Sequence, residues 1–252
     1  MWQRLITTMP LLAAVILASG ALAQTPPATV PVTRAVLADT KLTITGDAPL
    51  HFRAVGIILP VNEGSGFSAS ADGILYEMSG STAVTASGQT KSLGAHDALF
   101  IAAKKRVMLK AGTDIPSTLM HFMLARASDL DRPEAAAPAT TIEVFRTPKP
   151  IPGLKPGTFD LNLTLVTFPP HMPSNPPHHR SGAALYYIVS GTGANTVEGK
   201  TEQRPPGSLI YEPFGLVHQW GNPGDEPLTF LAFNINPEGV PAVVFEPAAT
   251  HK

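Results

Sequence analysis

The chain has 252 residues, 18 Lys+Arg against 19 Asp+Glu for a formal net charge of −1, 26 prolines, 21 glycines and no cysteine. Near-neutral charge with no basic run argues against a nucleic-acid partner and against electrostatic attachment to anionic membranes. The lack of thiols excludes disulfides, cysteine nucleophiles and thiolate metal sites.

From the N-terminus, Arg4 is followed by an apolar stretch over residues 11–17 and by Ala21-Leu22-Ala23 before Gln24. A positive start, a short apolar core and an A-x-A ending predict a secretory signal peptide over residues 1–23. The stretch is shorter than the ~20 residues a membrane-spanning helix needs, so no anchor is expected after cleavage, and the mature protein is expected in the periplasm or secreted. Residues 24–40 read as an N-terminal arm.

An offset of 111 residues then superposes two long segments without a gap. Residues 54–80 lie over residues 165–191, and thirteen identical pairs fall between residues 54 and 122, among them Tyr76/Tyr187, Gly80/Gly191, Gly88/Gly199 and Phe122/Phe233. Average composition would give roughly four or five. The chain is therefore a duplication, with a first copy over 41–126, a proline-rich linker over 127–158 and a second copy over 159–252. Each copy reads as short strands between Gly/Pro turns, which predicts an all-β sandwich or closed barrel. In the second copy, residues 161–168, 185–189, 208–211 and 228–235 are predicted strands, with Leu161, Leu163 and Leu165 on one face.

Residues 207–222, GSLIYEPFGLVHQWGN, place Gly207, Pro213, Gly215, His218 and Asn222 at a fixed spacing. With that spacing the chain resembles the cupin superfamily, whose second motif it matches in full. The resemblance implies two tandem cupin (double-stranded β-helix, jelly-roll) barrels. It also implies that His218 points into the second barrel, where it is a ligand in metal-binding members. The family's first motif, His-x-His then Glu, is incomplete here. Counting back from Gly191, the Glu position falls on Ala184, and the histidine positions fall on either His178-His179-Arg180 or Pro177-His178-His179. In the first copy the equivalents are Phe67, Ser68, Gly73 and Val107, so that barrel is expected to hold no metal and to serve a structural or dimerising role. His96 and His121 are isolated in it and are expected at the surface or in packing.

Strand alternation would point His178 and Arg180 inward together and His179 outward; a slip of one residue reverses this. His178, His179, His218 and Glu212 are the candidate metal ligands, Glu212 as a replacement for the carboxylate lost at Ala184, with His171 a further candidate. The candidate cofactor is a divalent metal, Fe, Mn, Zn or Ni. Tyr187 and Arg180, with Gln219, are candidates to orient a small organic substrate. The resemblance allows dioxygenase-, isomerase-, decarboxylase- or lyase-like chemistry and does not choose among them. Two alternatives stand beside the metal enzyme: a metal-free barrel that binds a small molecule in an aromatic cavity lined by Tyr186, Tyr187, Tyr211, Phe214 and Trp220, and a structural or storage protein. A histidine pair beside prolines also serves as a plain hydrogen-bonding cluster. By analogy with cupins, residues 42–44 are candidates for exchange into another sheet, and a homodimer is among the expected partners. Residues 237–247 read as a last strand or a tail over the barrel.

Overall fold

The computed structural model describes residues 31–46 and 49–247. The expected signal peptide, and the arm as far as residue 30, lie outside the described residues.

Among the described residues there are nineteen strands and a single 3-10 turn at Ala127–Asp129. After β1 (Thr33–Ile44) comes a first set: β2 (Leu50–Leu59), β3 (Gly64–Ser68), β4 (Asp72–Ser79), β5 (Ser81–Ala86), β6 (Gln89–Gly94), β7 (Ala98–Ile101), β8 (Arg106–Ala111) and β9 (Ser117–Arg126). After β10 (Thr140–Arg146) comes a second: β11 (Gly157–Phe168), β12 (His178–Arg180), β13 (Ala183–Ser190), β14 (Gly193–Val197), β15 (Lys200–Arg204), β16 (Leu209–Glu212), β17 (His218–Gly221) and β18 (Leu228–Pro237). β19 (Val243–Phe245) follows.

The duplication extends to the hydrogen-bond register. β4, β7 and β9, displaced by 111 residues, give the bounds of β13, β16 and β18. The pair Asp72↔Leu124 becomes Ala183↔Ile235, and the same bulge interrupts both ladders, at Glu77/Ser79 and at Ile188/Ser190. Gly80 and Gly191 each turn the chain at positive φ, with a neighbouring carbonyl 2.8 or 2.6 Å from where a Cβ would stand. Only glycine fits such a corner.

Two sheets form each barrel. The first barrel combines β10-β2-β9-β4-β7 with β3-β8-β5-β6; the second combines β1-β11-β18-β13-β16 with β15-β14-β17-β12-β19. Three apolar clusters result. One fills the first barrel around Val84, Val107 and Leu119, and one fills part of the second around Phe168, Ile188 and Phe230. The third lies between the two large sheets, where Phe233 meets Phe52 at 5.5 Å and Phe122 at 5.8 Å. The large sheets are therefore covered on both faces, and the face between them is apolar.

Two expected boundaries differ from the structure. The arm does not end at residue 40: β1 runs through it and pairs with β11 over its full length, Leu42 opposite Phe159, so it belongs to the second barrel's sheet. Residues 127–158 are not a free linker: β10 pairs with β2 in the first barrel. Each copy thus lends its leading strand to the other barrel, an exchange completed within one chain. Prolines on both sides of β10 and its exposed residues hide it in the sequence, because an edge strand held by backbone hydrogen bonds needs no apolar alternation.

His121 is also not isolated. It is fully buried, with Nδ1 3.3 Å from Glu134 Oε2. Glu134, from the supposed linker, further accepts from Arg53 Nη1 at 3.3 Å and from Ser70. His96 pairs with the Tyr76 hydroxyl at 2.7 Å.

Candidate functional site

β12 is three residues long, and its burial alternates: His178 and Arg180 are buried, His179 is not. His178 faces His218 across the β12–β17 pair, and their ring centroids are 4.4 Å apart. The Pro213–Gly215 turn sets the second of these. Gly215 takes a φ of 71°, its N–H donates to the Arg180 carbonyl at 3.2 Å, and β17 then starts at His218.

Both imidazoles are held in the same way. Nδ1 of His178 donates to the Pro176 carbonyl and Nδ1 of His218 to the Leu216 carbonyl, each at 2.9 Å. A carbonyl only accepts, so each Nδ1 carries a proton and each Nε2 is the nitrogen free for other work. Burial lowers the pKa of His178, and the neighbouring His218 ring and the Arg180 guanidinium act in the same direction, favouring the neutral ring whose Nε2 lone pair is available.

Glu212 stands directly opposite Ala184 in the β13–β16 pair and is 1% exposed. Its Oε1 lies 3.0 Å from His218 Nε2 and accepts from Trp220 Nε1 at 2.8 Å. Burial alone would raise its pKa, but His218, Arg180 and the Trp220 N–H outweigh that and hold it below the ordinary carboxylate value. Neither Glu212 Oε2 nor His218 Nε2 makes a hydrogen bond. Glu212 Oε2 is thus a buried acceptor without a partner, and His218 Nε2 faces Glu212 Oε1, an arrangement that is costly unless something positive lies between them.

Arg180 projects into the same lumen. Nη1 donates to the Tyr186 hydroxyl at 2.7 Å and Nη2 donates to Asn234 Oδ1. Asn234 continues to Asn162 Oδ1 at 2.8 Å, which Thr164 also reaches at 3.0 Å. Around these groups is a cavity of about 240 Å³, bounded on its apolar side by Val166, Phe168, Trp220 and Phe230.

Of the sequence candidates, His178, His218, Glu212 and Arg180 come together, and others do not. His179 points out of the barrel and meets Glu246 Oε1 at 2.6 Å, so it is no ligand of this cluster. His171 is exposed beside Asp225. Gln219 is tied to the Asn175 carbonyl at 2.8 Å. Tyr187 is a correction: it lies on the other face of β13, packed into the cluster between the barrels, and Tyr186 takes the place beside Arg180. Asn162 and Asn234 were missed as well. Their signal is visible in LNLTLV and FNIN, where polar residues recur at every second position of otherwise apolar strands. In the first barrel, Phe67, Ile101, Val107 and Leu109 stand where His178, Glu212, His218 and Trp220 stand in the second, and all four are buried in its apolar cluster.

Among the described residues, no group of three or more histidine or acidic side chains already closes around a point that could hold a metal ion. The donor chemistry still suits a divalent cation: two imidazole Nε2 atoms and a carboxylate, with His218 Nε2 turned toward Glu212 Oε1 and Glu212 Oε2 left without a partner.

A family model described as a cupin domain matches residues 164–234. No curated protein matches the sequence. Among solved structures, the chain is similar to an oxalate decarboxylase, with TM-score 0.56 and 14% identity over 84% of this chain and 78% of that one. It is similar to a variant of the Bacillus subtilis oxalate decarboxylase, with TM-score 0.55 and 16% identity over 86% and 80%. It also resembles a variant of the salicylate 1,2-dioxygenase from Pseudoaminobacter salicylatoxidans, with TM-score 0.51 and 12% identity over 79% and 81%. At these identities the likeness is one of fold. The complete second motif, the family match that encloses β13 to β17 and the duplicated jelly rolls agree: the chain folds as two cupin barrels, the second of which matches the cupin domain model.

Proposed function

We propose that the second barrel binds a small organic molecule at a divalent cation held by His178, His218 and Glu212, and that the protein is exported by its N-terminal signal. The observation that carries the first part is the buried approach of His218 Nε2 to Glu212 Oε1 at 3.0 Å, with Glu212 Oε2 left without a partner, beside two imidazoles whose Nδ1 protons are committed to backbone carbonyls. Enzymes with this fold, an oxalate decarboxylase and a salicylate dioxygenase, make small-molecule chemistry a natural reading of such a site.

A divalent cation would supply Lewis acidity toward a substrate oxygen or a water. The chain's own residues do the rest. The carbonyls of Pro176 and Leu216 fix both ring orientations, and Trp220 holds Glu212 in place. Arg180, braced by Tyr186 and Asn234, sets one end of a bound molecule, while the aromatic wall excludes water from the other.

The open arrangement of the donors favours one competing reading, a metal-free binding barrel. Elemental analysis of protein purified without a nickel column separates the two. The proposal expects stoichiometric divalent metal in the wild type and its loss in both His178→Ala and His218→Ala, with thermal unfolding confirming that both variants fold. A folded wild-type protein that remains metal-free after incubation with Fe(II), Mn(II), Zn(II) and Ni(II) contradicts it. Mass spectrometry of the secreted protein tests export, the expected mature N-terminus being Gln24.

A further inference from the structure

The cavity of the second barrel has a charge pattern that the cation does not explain. Arg180 is 7% exposed and lines the cavity, and among the described residues no carboxylate forms an ion pair with it. Its two observed partners, Tyr186 and Asn234, are neutral, and its Nε has no partner. A buried guanidinium with no carboxylate in contact is expensive. Glu212 acts on it through space but is already engaged by Trp220 and His218. A second arginine, Arg34 of the exchanged β1, lines the same cavity, which no Asp or Glu lines.

We infer that Arg180 is the anchor of a carboxylate subsite, and that the ligand of this barrel is a small monocarboxylate with a compact apolar body. A guanidinium has five N–H donors, of which two are used here, and its planar free edge matches the two oxygens of a carboxylate. In the same cavity, Val166, Phe168 and Phe230 offer an apolar wall to the body of the acid. Arg34 adds a second positive charge where β1 borders the cavity. The inference rests on the reading of the second barrel as a small-molecule site, and it holds with or without the cation.

Propionate and benzoate are suitable probes, with propionamide and benzamide as controls of the same shape and no charge. Binding is followed by NMR titration of the mature chain, both metal-loaded and metal-stripped. At least one acid is expected to bind in both forms, well ahead of its amide, and Arg180→Gln is expected to weaken that binding at least about tenfold, the usual scale for a lost charged hydrogen bond. Should Arg180→Gln fail to fold, Arg180→Lys keeps the charge, removes the planar fork and is expected to weaken binding severalfold. Equal binding of acid and amide overturns the inference and leaves a small-molecule site standing. Binding that requires the metal and is untouched by Arg180→Gln or Arg180→Lys overturns it in favour of the cation as the anion's partner. If neither acid binds in either form the inference falls, while elemental analysis still decides the metal on its own.

Discussion

Two buried glutamates show how neighbours decide the state of a carboxyl group. Glu212 has His218, Arg180 and the Trp220 N–H beside it and is held ionised, as a ligand or an ion-pair partner must be. Glu77, fully buried in the first barrel, has only the hydroxyls of Ser117 and Thr82 and one backbone N–H, from Thr118. Burial dominates there and raises its pKa above the ordinary value of 4.5. A folded-state pKa above the unfolded one means that this group's contribution is fully present below about pH 4.5 and is lost as the pH rises through the raised value. Glu77→Gln removes that loss. In urea unfolding from pH 4.5 to 8, the variant is expected to gain stability relative to the wild type as the pH rises; a constant difference would show that Glu77 does not titrate in this range.

Residue identity was legible where backbone geometry or pairing constrains it. The Pro213-x-Gly215 turn announces an inward His218, and a carboxylate opposite Ala184 in the β13–β16 pair gives Glu212 its place. Tyr186 and Tyr187 were not separable by pattern. Both faces of β13 are buried, one in the lumen and one against the other barrel, so no polar residue marks the inside.

At the level of elements, the exchange of β1 and β10 explains why the copies look like tandem barrels in sequence and form a crossed pair in space. The repeat offset is plain because every strand and bulge of one copy has its counterpart in the other. The exchange is hidden because backbone hydrogen bonds between edge strands need no particular side chain. β19 is a different kind of element. It pairs with β12 through three residues, contributes Val243 to the cavity wall, and is tied by the Glu246 N–H to the Pro177 carbonyl at 2.9 Å and by the His179–Glu246 contact. A partly exposed pair of this kind contributes little to global stability. His179→Ala is therefore expected to speed amide exchange across residues 240–247 while leaving the unfolding temperature nearly unchanged. Unchanged exchange would show that the pair does not hold the strand, and a large fall in unfolding temperature would assign His179 a role in the barrel itself.

For the molecule as a whole, the cluster between the large sheets makes the barrels interdependent. A fragment covering residues 157–247 would expose the β11 edge that β1 covers, together with the apolar face that carries Leu161, Leu163, Leu185 and Phe233. Such a fragment is expected to aggregate or stay unfolded, as seen by size exclusion and circular dichroism, whereas a monomeric fragment with a cooperative transition would show that the barrels fold independently. Within this frame the first barrel is packed with apolar side chains, Phe67, Ile101 and Val107 filling the positions of His178, Glu212 and His218, and the second has the polar lumen.

The central claim is that a cation belongs between the two imidazoles of that lumen. Anomalous diffraction from metal-loaded crystals tests it directly. The predicted result is one peak in the second barrel about 2.0–2.2 Å from the Nε2 atoms of both His178 and His218, with Glu212 beside it. A peak at the outward His179–Glu246 pair instead, or no peak within the second barrel, would contradict it.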